Sequence, residues 1–302
     1  MNLNATITIK GDPGLLRSEP FRRRKVQCAS ASGLHRMAYL EWGAPNSAKT
    51  LVCVHGLTRC ARDFDRLAAE MVRHGYRVIC PDVAGRGDSD WLKNPMEYAV
   101  PTYAFDMVTL IARLDVESVH WVGTSLGGLM GMTLAAMPDS PIQRLVLNDV
   151  GPVLTAVSLE RLSSYVGKWP PLPTFEAAEQ FVRSTSASFG PHTDAEWRFL
   201  TEHVVRKNAD GSLRMHYDPA LALPFNAELS RKDVELWSFY DSIRCPTLVL
   251  RGEQSDLLRR DTADQMASRG PRAKVVEIKG VGHAPTLLHD DQIAIVRDFL
   301  LG

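Results

Sequence analysis

Short, almost uninterrupted apolar runs alternate with segments of helical periodicity, and this alternation limits the chain more than any other feature. T-L-V-C-V-H (50–55), Y-R-V-I-C (76–80), S-V-H-W-V (118–122) and I-Q-R-L-V-L (142–147) have the length and β-branched content of strands. Between them, Phe64, Leu67, Ala68, Met71 and Val72 recur at i, i+3, i+4 spacing, as do Phe105, Val108, Thr109 and Ala112. Runs that are apolar at nearly every position suit strands covered on both faces, so the pattern predicts an α/β fold: a mostly parallel sheet flanked by helices. It resumes at P-T-L-V-L-R (246–251) and K-V-V-E-I (274–278) and closes with an amphipathic helix through Ile293, Val296, Phe299 and Leu300. Ahead of it, V-Q-C-A-S (26–30) and H-R-M-A-Y-L-E-W (35–42) flank Ser32-Gly33 and read as a hairpin.

The stretch from about 152 to 240 breaks this rhythm. It holds W-P-P-L-P (169–173), several helix-like segments and a turn signal at Asn208-Ala209-Asp210-Gly211, but no run resembling a buried parallel strand. It is too long for a structureless loop and is expected to be a mostly helical insertion over one edge of the sheet. A chain of 302 residues has room for one large domain with such an insertion, and at this size it folds without disulfide or metal staples.

Charge excludes some partners. Lys and Arg total 35, as do Asp and Glu, so the formal net charge is zero. A nucleic-acid binder gathers a basic excess on one face. Here the one dense basic run, Arg22 to Lys25, reads as a solvated entry segment. No stretch approaches 18 uninterrupted apolar residues, so no membrane span is expected, and the N-terminus lacks the pattern of a secretory signal. The five cysteines (Cys28, Cys53, Cys60, Cys80, Cys245) show no metal-ligand spacing and read as small core residues in a reducing cytoplasm. Neither a metal nor a cofactor is expected.

The chemistry centres on Gly123-Thr124-Ser125-Leu126-Gly127, a G-x-S-x-G pattern between a strand and the helix-like segment Leu126 to Ala136. On a sharp strand-to-helix turn the serine is held in strained backbone geometry with its hydroxyl exposed. The flanking glycines avoid a collision where strand and helix close together. Serine needs a base, itself oriented by a third group. Gly280-Val281-Gly282-His283-Ala284-Pro285 supplies a loop histidine after K-V-V-E-I, and Arg251-Gly252-Glu253-Gln254-Ser255-Asp256 supplies an acid past the end of P-T-L-V-L. In the order Ser125, Asp256, His283, the serine attacks a carbonyl, the histidine takes its proton and later activates water, and the aspartate fixes the histidine tautomer. Asp149, at the end of I-Q-R-L-V-L, is the second candidate acid; Glu253 is another. The tetrahedral intermediate needs two N–H donors, and the backbone amides of Leu57, after His55-Gly56, and Leu126 are the expected oxyanion pair. His55 is expected to order its loop rather than take part in the chemistry.

Taken together, His55-Gly56, Gly123 to Gly128, the acid at 256 and Gly282-His283 resemble the α/β-hydrolase superfamily, in its serine esterase and lipase-like branch. Pro81-Asp82-Val83-Ala84-Gly85-Arg86-Gly87-Asp88-Ser89 is similar to the P-D-x-x-G-x-G-x-S loop of its esterase, C–C hydrolase and epoxide-hydrolase members. Leu147 to Pro152, L-N-D-V-G-P, resembles a group of bacterial α/β hydrolases. The resemblance implies a catalytic core of residues 1–151 and 241–302 with a helical cap over 152–240. Serine at 125 departs from the aspartate nucleophile of epoxide hydrolases and haloalkane dehalogenases. A C–C hydrolase's arginine and tryptophan find no motif match among Trp169, Trp197 and Trp237.

The expected activity is therefore hydrolysis of a small to medium, largely uncharged carboxylic ester through an acyl-enzyme, with a small-molecule ester as the partner. The same triad also suits a lactone, a hydroxyalkanoate oligomer, a carbon–carbon bond or acyl transfer, and the scaffold alone suits a non-catalytic receptor. Of the cap aromatics Trp169, Phe175, Phe181, Phe189, Trp197, Phe199, Phe225, Trp237 and Phe239, some are expected to line the pocket and most to pack the insertion itself.

Overall fold

The computed structural model describes residues 20–224 and 232–302. Eight strands form one sheet: β1 (Phe21–Ser30), β2 (Gly33–Trp42), β3 (Lys49–Val54), β4 (Tyr76–Pro81), β5 (Val119–Thr124), β6 (Ile142–Asn148), β11 (Thr247–Gly252) and β12 (Lys274–Ile278). Their order is β1-β2-β4-β3-β5-β6-β11-β12. The β1–β2 and β2–β4 pairs are antiparallel, and every later pair is parallel.

The parallel strands are apolar throughout because both faces are covered. Along β3, Val52 and Val54 enter one core with Trp121, Leu145, Leu147 and Val249, while Leu51 and Cys53 enter the other with Val122, Val146, Leu248 and Leu250. Helices α2 (Val100–Leu114) and α3 (Leu126–Ala135) cover the first face; α1 (Asp65–Arg73) and the C-terminal helix α9 (Asp290–Leu301) cover the second.

The expected strands and helices are present, with two differences. Helix α2 turns the opposite way: Tyr103, Ala104, Met107, Leu110, Ile111 and Leu114 are buried, while Phe105 and Val108 are exposed. Both faces of this helix carry apolar residues at helical spacing, and the longer stripe wins. The basic run is also not an entry segment but the start of edge strand β1. There Arg22 and Arg24, two residues apart and so on one face, both donate to the buried carboxylate of Glu41 (3.3 and 3.4 Å), which also receives Arg77 (2.8 Å). Charged side chains on an edge strand discourage pairing with another chain.

Between β6 and β11 the insertion is mostly helical. Helices α4 (Ala156–Tyr165), α5 (Phe175–Thr185) and α6 (Asp194–Glu202) each start on a threonine whose hydroxyl accepts a backbone N–H of the first turn. Thr193 and Glu196 complete a capping box on α6. The turn signal at 208–211 joins β8 (Val205–Lys207) to β9 (Leu213–Met215), and β7 (Val153–Leu154) pairs with β10 (Val234–Glu235) before α7 (Trp237–Ser242). The insertion is tied to the core by backbone bonds from Gly87 to His216, Asp218 to Gly85 and Gly282 to Ser188. The remaining helix, α8 (Arg260–Ser268), lies between β11 and β12. Among the described residues no helix is long and apolar enough to cross a membrane.

Candidate active site

Ser125 occupies the turn between β5 and α3 with φ 52° and ψ −114°, a conformation disfavoured for a side-chain-bearing residue. The close approach that produces it requires the two glycines. A Cβ on Gly123 would lie 2.2 Å from the Gly127 carbonyl oxygen, and one on Gly127 would lie 2.0 Å from that of Val54. The indole N–H of Trp121 donates to Gly127 (3.0 Å), fastening the start of α3 to β5.

His283 Nε2 lies 3.0 Å from Ser125 Oγ, and His283 Nδ1 lies 2.8 Å from Asp149 Oδ2. With the Nδ1 proton facing the carboxylate, Nε2 is left to accept from the serine hydroxyl. Asp149 is fully buried at the end of β6. Its Oδ1 accepts from Gly252 N (2.8 Å) and its Oδ2 from the Ser255 hydroxyl (2.6 Å), so the carboxylate is held from two sides.

Asp256 does not reach the histidine. It forms a two-point ion pair with Arg161 of α4 (2.5 and 2.9 Å), its side chain 43% exposed. This corrects the expected order Ser125, Asp256, His283: the carboxylate on His283 is that of Asp149. The reason is local. The turn after β11 directs Ser255 inward to Asp149 and the following residue outward to the insertion, while Asp149 follows β6 directly, at φ 54°.

Leu57 and Leu126, the expected oxyanion pair, border the cavities at the serine. A Cβ on Gly56 would touch Ser125 Cβ at 3.7 Å, so the His55-Gly56-Leu57 loop runs against the serine. Among the described residues, neither the Leu57 nor the Leu126 amide donates to another protein group. Leu126 opens α3, where the first N–H groups have no partner within the helix. His55 orders this loop: its Nδ1–H donates to Gly56 O (2.7 Å), while Nε2 accepts from Val83 N (3.0 Å). Complete burial pushes its pKa down to about 3, so it stays neutral.

Three supporting residues were not anticipated. Arg86, wholly buried, donates to the carbonyls of Leu57 (2.8 Å) and Ala84 (2.7 Å) and orients the peptide chain at Leu57. Asn148 donates to Thr124 (2.9 Å) and Pro285 (2.8 Å), joining the serine turn to the histidine loop. Ser188 of the insertion donates to the His283 carbonyl (2.5 Å) and accepts from Gly282 N (2.6 Å). The loop pattern at 81–89 carried a signal for the first of these and the L-N-D-V-G-P run for the second; Ser188 stands in no recognisable motif.

Two cavities meet at Ser125. One is lined by His283 together with Arg59, Arg161, Tyr165, Phe181 and Phe189. The other is mainly apolar, with Leu126, Leu129, Leu154, Leu159, Val234 and Phe239 in its wall. Of the insertion's aromatics, Trp197 and Phe199 are buried, Phe181, Phe189 and Phe239 line the two cavities, and Phe225 lies outside the described residues. All five cysteines are free thiols. The fold does bring Cys28 and His35, facing each other across β1 and β2, to Asp106 of α2, with their donor atoms within 4.8 Å. His35 Nε2 is 3.0 Å from Asp106. Burial, then the Asp106 charge, push the Cys28 thiol up to about 12, so it stays protonated beside the carboxylate. None of the three lines the cavities at Ser125.

The sequence profile of the alpha/beta hydrolase fold matches residues 49–290, and the chain belongs to that family. It is 49% identical over 284 residues to the 3-hydroxybutyrate-oligomer hydrolase of Cupriavidus necator, covering 92% of this chain and 97% of that one. It is 25% identical to the non-heme chloroperoxidase of Streptomyces lividans, over 86% of this chain and 95% of the relative. Among solved structures, an alpha/beta hydrolase from Novosphingobium aromaticivorans superimposes with a TM-score of 0.84 at 36% identity, covering 94% of this chain and 99% of that one.

Proposed function

We propose that the protein hydrolyses carboxylic esters through an acyl-enzyme on Ser125, and that its substrates are short oligomers of 3-hydroxybutyrate. The observation that carries the reaction is the hydrogen-bonded line Ser125–His283–Asp149 opening onto a cavity. The substrate class is favoured by the near-full-length similarity to the Cupriavidus necator enzyme, which supports the hydroxyalkanoate alternative over a generic neutral ester.

In this reading Ser125 Oγ bonds to the ester carbonyl carbon as His283 Nε2 takes its proton. The carbonyl oxygen becomes an oxyanion held by the amides of Leu57 and Leu126, a stabilisation worth about 3–4 kcal/mol per donor. The bond from carbon to the leaving oxygen then breaks, and His283 passes the proton to that oxygen. Water, deprotonated by the same histidine, attacks the acyl-serine and releases the acid. Asp149 orients the imidazole and stabilises its protonated form. Every group this sequence needs is a side chain or amide of the chain itself. Residues 152–240 act as a cap, since α4 and α5 contribute Arg161, Tyr165 and Phe181 to the cavity wall.

The test is release of 3-hydroxybutyrate from its linear dimer and trimer, alongside p-nitrophenyl butyrate, by wild type and Ser125→Ala. Wild type is expected to cleave all three and the variant to lose nearly all turnover. Undiminished turnover by folded Ser125→Ala overturns the mechanism, and cleavage of the p-nitrophenyl ester alone overturns the substrate.

A further inference from the structure

The direction in which an ester lies across Ser125 follows from where His283 stands. The leaving oxygen collects its proton from His283 Nε2, so the leaving alcohol lies on the histidine's side of the serine. That side is the cavity that also contains Arg59 and Arg161, while the mainly apolar cavity on the Leu126 side is left for the acyl group.

The two arginines are not equivalent. Arg59 is the less accessible of the two: Nε and Nη2 bind Asp63 (2.8 and 2.6 Å), Nη2 also reaches the Leu200 carbonyl (3.2 Å), and the guanidinium packs over Phe189. Its side chain is 11% exposed. Arg161 is 35% exposed, binds Asp256 through one edge, Nε and Nη2, and has the Tyr165 side chain beside it in the same cavity wall, which leaves Nη1 to reach another acceptor. Its anchor is also close in sequence to the reacting groups. Asp256 follows Ser255, whose hydroxyl holds Asp149, which in turn holds His283.

We propose that Arg161 binds the carboxylate of a leaving 3-hydroxy acid, so that the enzyme removes the carboxylate-terminal unit of an oligomer. The proposal rests on the ester-hydrolase reading above and adds the direction of attack. In 3-hydroxybutyrate only two carbons separate the leaving oxygen from the carboxyl carbon, so the charge stays beside the scissile bond, where a single cation can read it. Asp256 is the positioning residue, in place of the catalytic acid expected at that position. The substrate then carries a charge where it contacts the enzyme, contrary to the uncharged ester expected from the neutral composition.

The test uses 3-acetoxybutyrate, an acetyl ester whose leaving group is 3-hydroxybutyrate, against its methyl ester, which lacks the charge. Wild type is expected to prefer the free acid. Arg161→Gln is expected to lower the ratio of kcat/KM for acid over methyl ester by roughly ten- to a hundredfold, the usual worth of a charged hydrogen bond, and Arg161→Lys to recover part of it. Circular dichroism and the melting temperature of each variant report its folding. Independently of any variant, free 3-hydroxybutyrate is expected to inhibit wild-type cleavage of p-nitrophenyl butyrate far more strongly than methyl 3-hydroxybutyrate does. An unchanged ratio in Arg161→Gln, or equal inhibition by acid and ester, overturns the proposal. Discrimination on 3-acetoxybutyrate without cleavage of the dimer leaves Arg161 its role and removes the oligomer. Cleavage of the dimer without discrimination does the reverse.

Discussion

Asp149 has no accessible surface, and its two oxygens engage Gly252, Ser255 and His283. A carboxylate so held keeps the imidazole in one tautomer; an amide in its place presents N–H groups to donors and inverts that choice. Asp149→Asn is therefore expected to lower kcat for p-nitrophenyl butyrate by about 10³- to 10⁴-fold, while Asp256→Asn stays within about tenfold of wild type. Steady-state kinetics on the two folded variants checks this, and equal losses would contradict it. Ser125 and His283 were legible because each sits in a local glycine pattern that only a tight turn explains. The acid was not. β6 and β11 are neighbours in the sheet, so acids following either strand arrive at the same place, and spacing does not say which side chain turns inward. Arg161 was invisible for a related reason: its partner lies 95 residues away.

Elements were legible where one periodicity dominated. The parallel strands read correctly because burial on both faces leaves no polar position to confuse the pattern. Helix α2 was recognised as a helix but with the wrong face inward, since Phe105 and Val108 mimic a core stripe beside the true one. The structure makes this quantitative. Met107→Ala removes a fully buried side chain and is expected to cost about 2–5 kcal/mol of unfolding free energy. Phe105→Ala is expected to fall within about 0.5 kcal/mol of wild type. Urea titration separates them, and a larger effect at Phe105 would place the helix the other way round. The insertion's helices were expected, but their docking was not, because it runs through scattered backbone contacts such as Ser188 to the histidine loop.

At the scale of the molecule, burial determines the response to acid. It pushes the pKa values of His55 and His203 down to about 3 and those of His120 and His216 to about 4, so the folded protein holds them neutral. The unfolded chain protonates them near 6.5. Between these limits the unfolded state binds more protons, so their contribution is complete above about pH 6.5 and is lost as pH falls through about 6 to 4. Asp82 opposes them: burial raises it to about 6, so the folded state binds its proton first and gains stability as pH falls from about 6 to 4. Burial also raises Asp65 and Glu202, in the sense of Asp82, and lowers His192; the lowered histidines outnumber the raised carboxylates, and thermal unfolding scans are expected to show the melting temperature dropping steadily from pH 7.5 to pH 5. A flat or rising profile would contradict the burial of these rings.

The central claim is that an ester of 3-hydroxybutyrate passes through a covalent bond to Ser125, and trapping that bond tests it most directly. Wild-type enzyme is mixed with excess 3-hydroxybutyrate dimer, quenched in acid within milliseconds and peptide-mapped by mass spectrometry. The account predicts a 3-hydroxybutyryl ester on Ser125 that decays as substrate is exhausted and is missing from Ser125→Ala. An adduct on another residue, or hydrolysis that continues undiminished in Ser125→Ala, would contradict it.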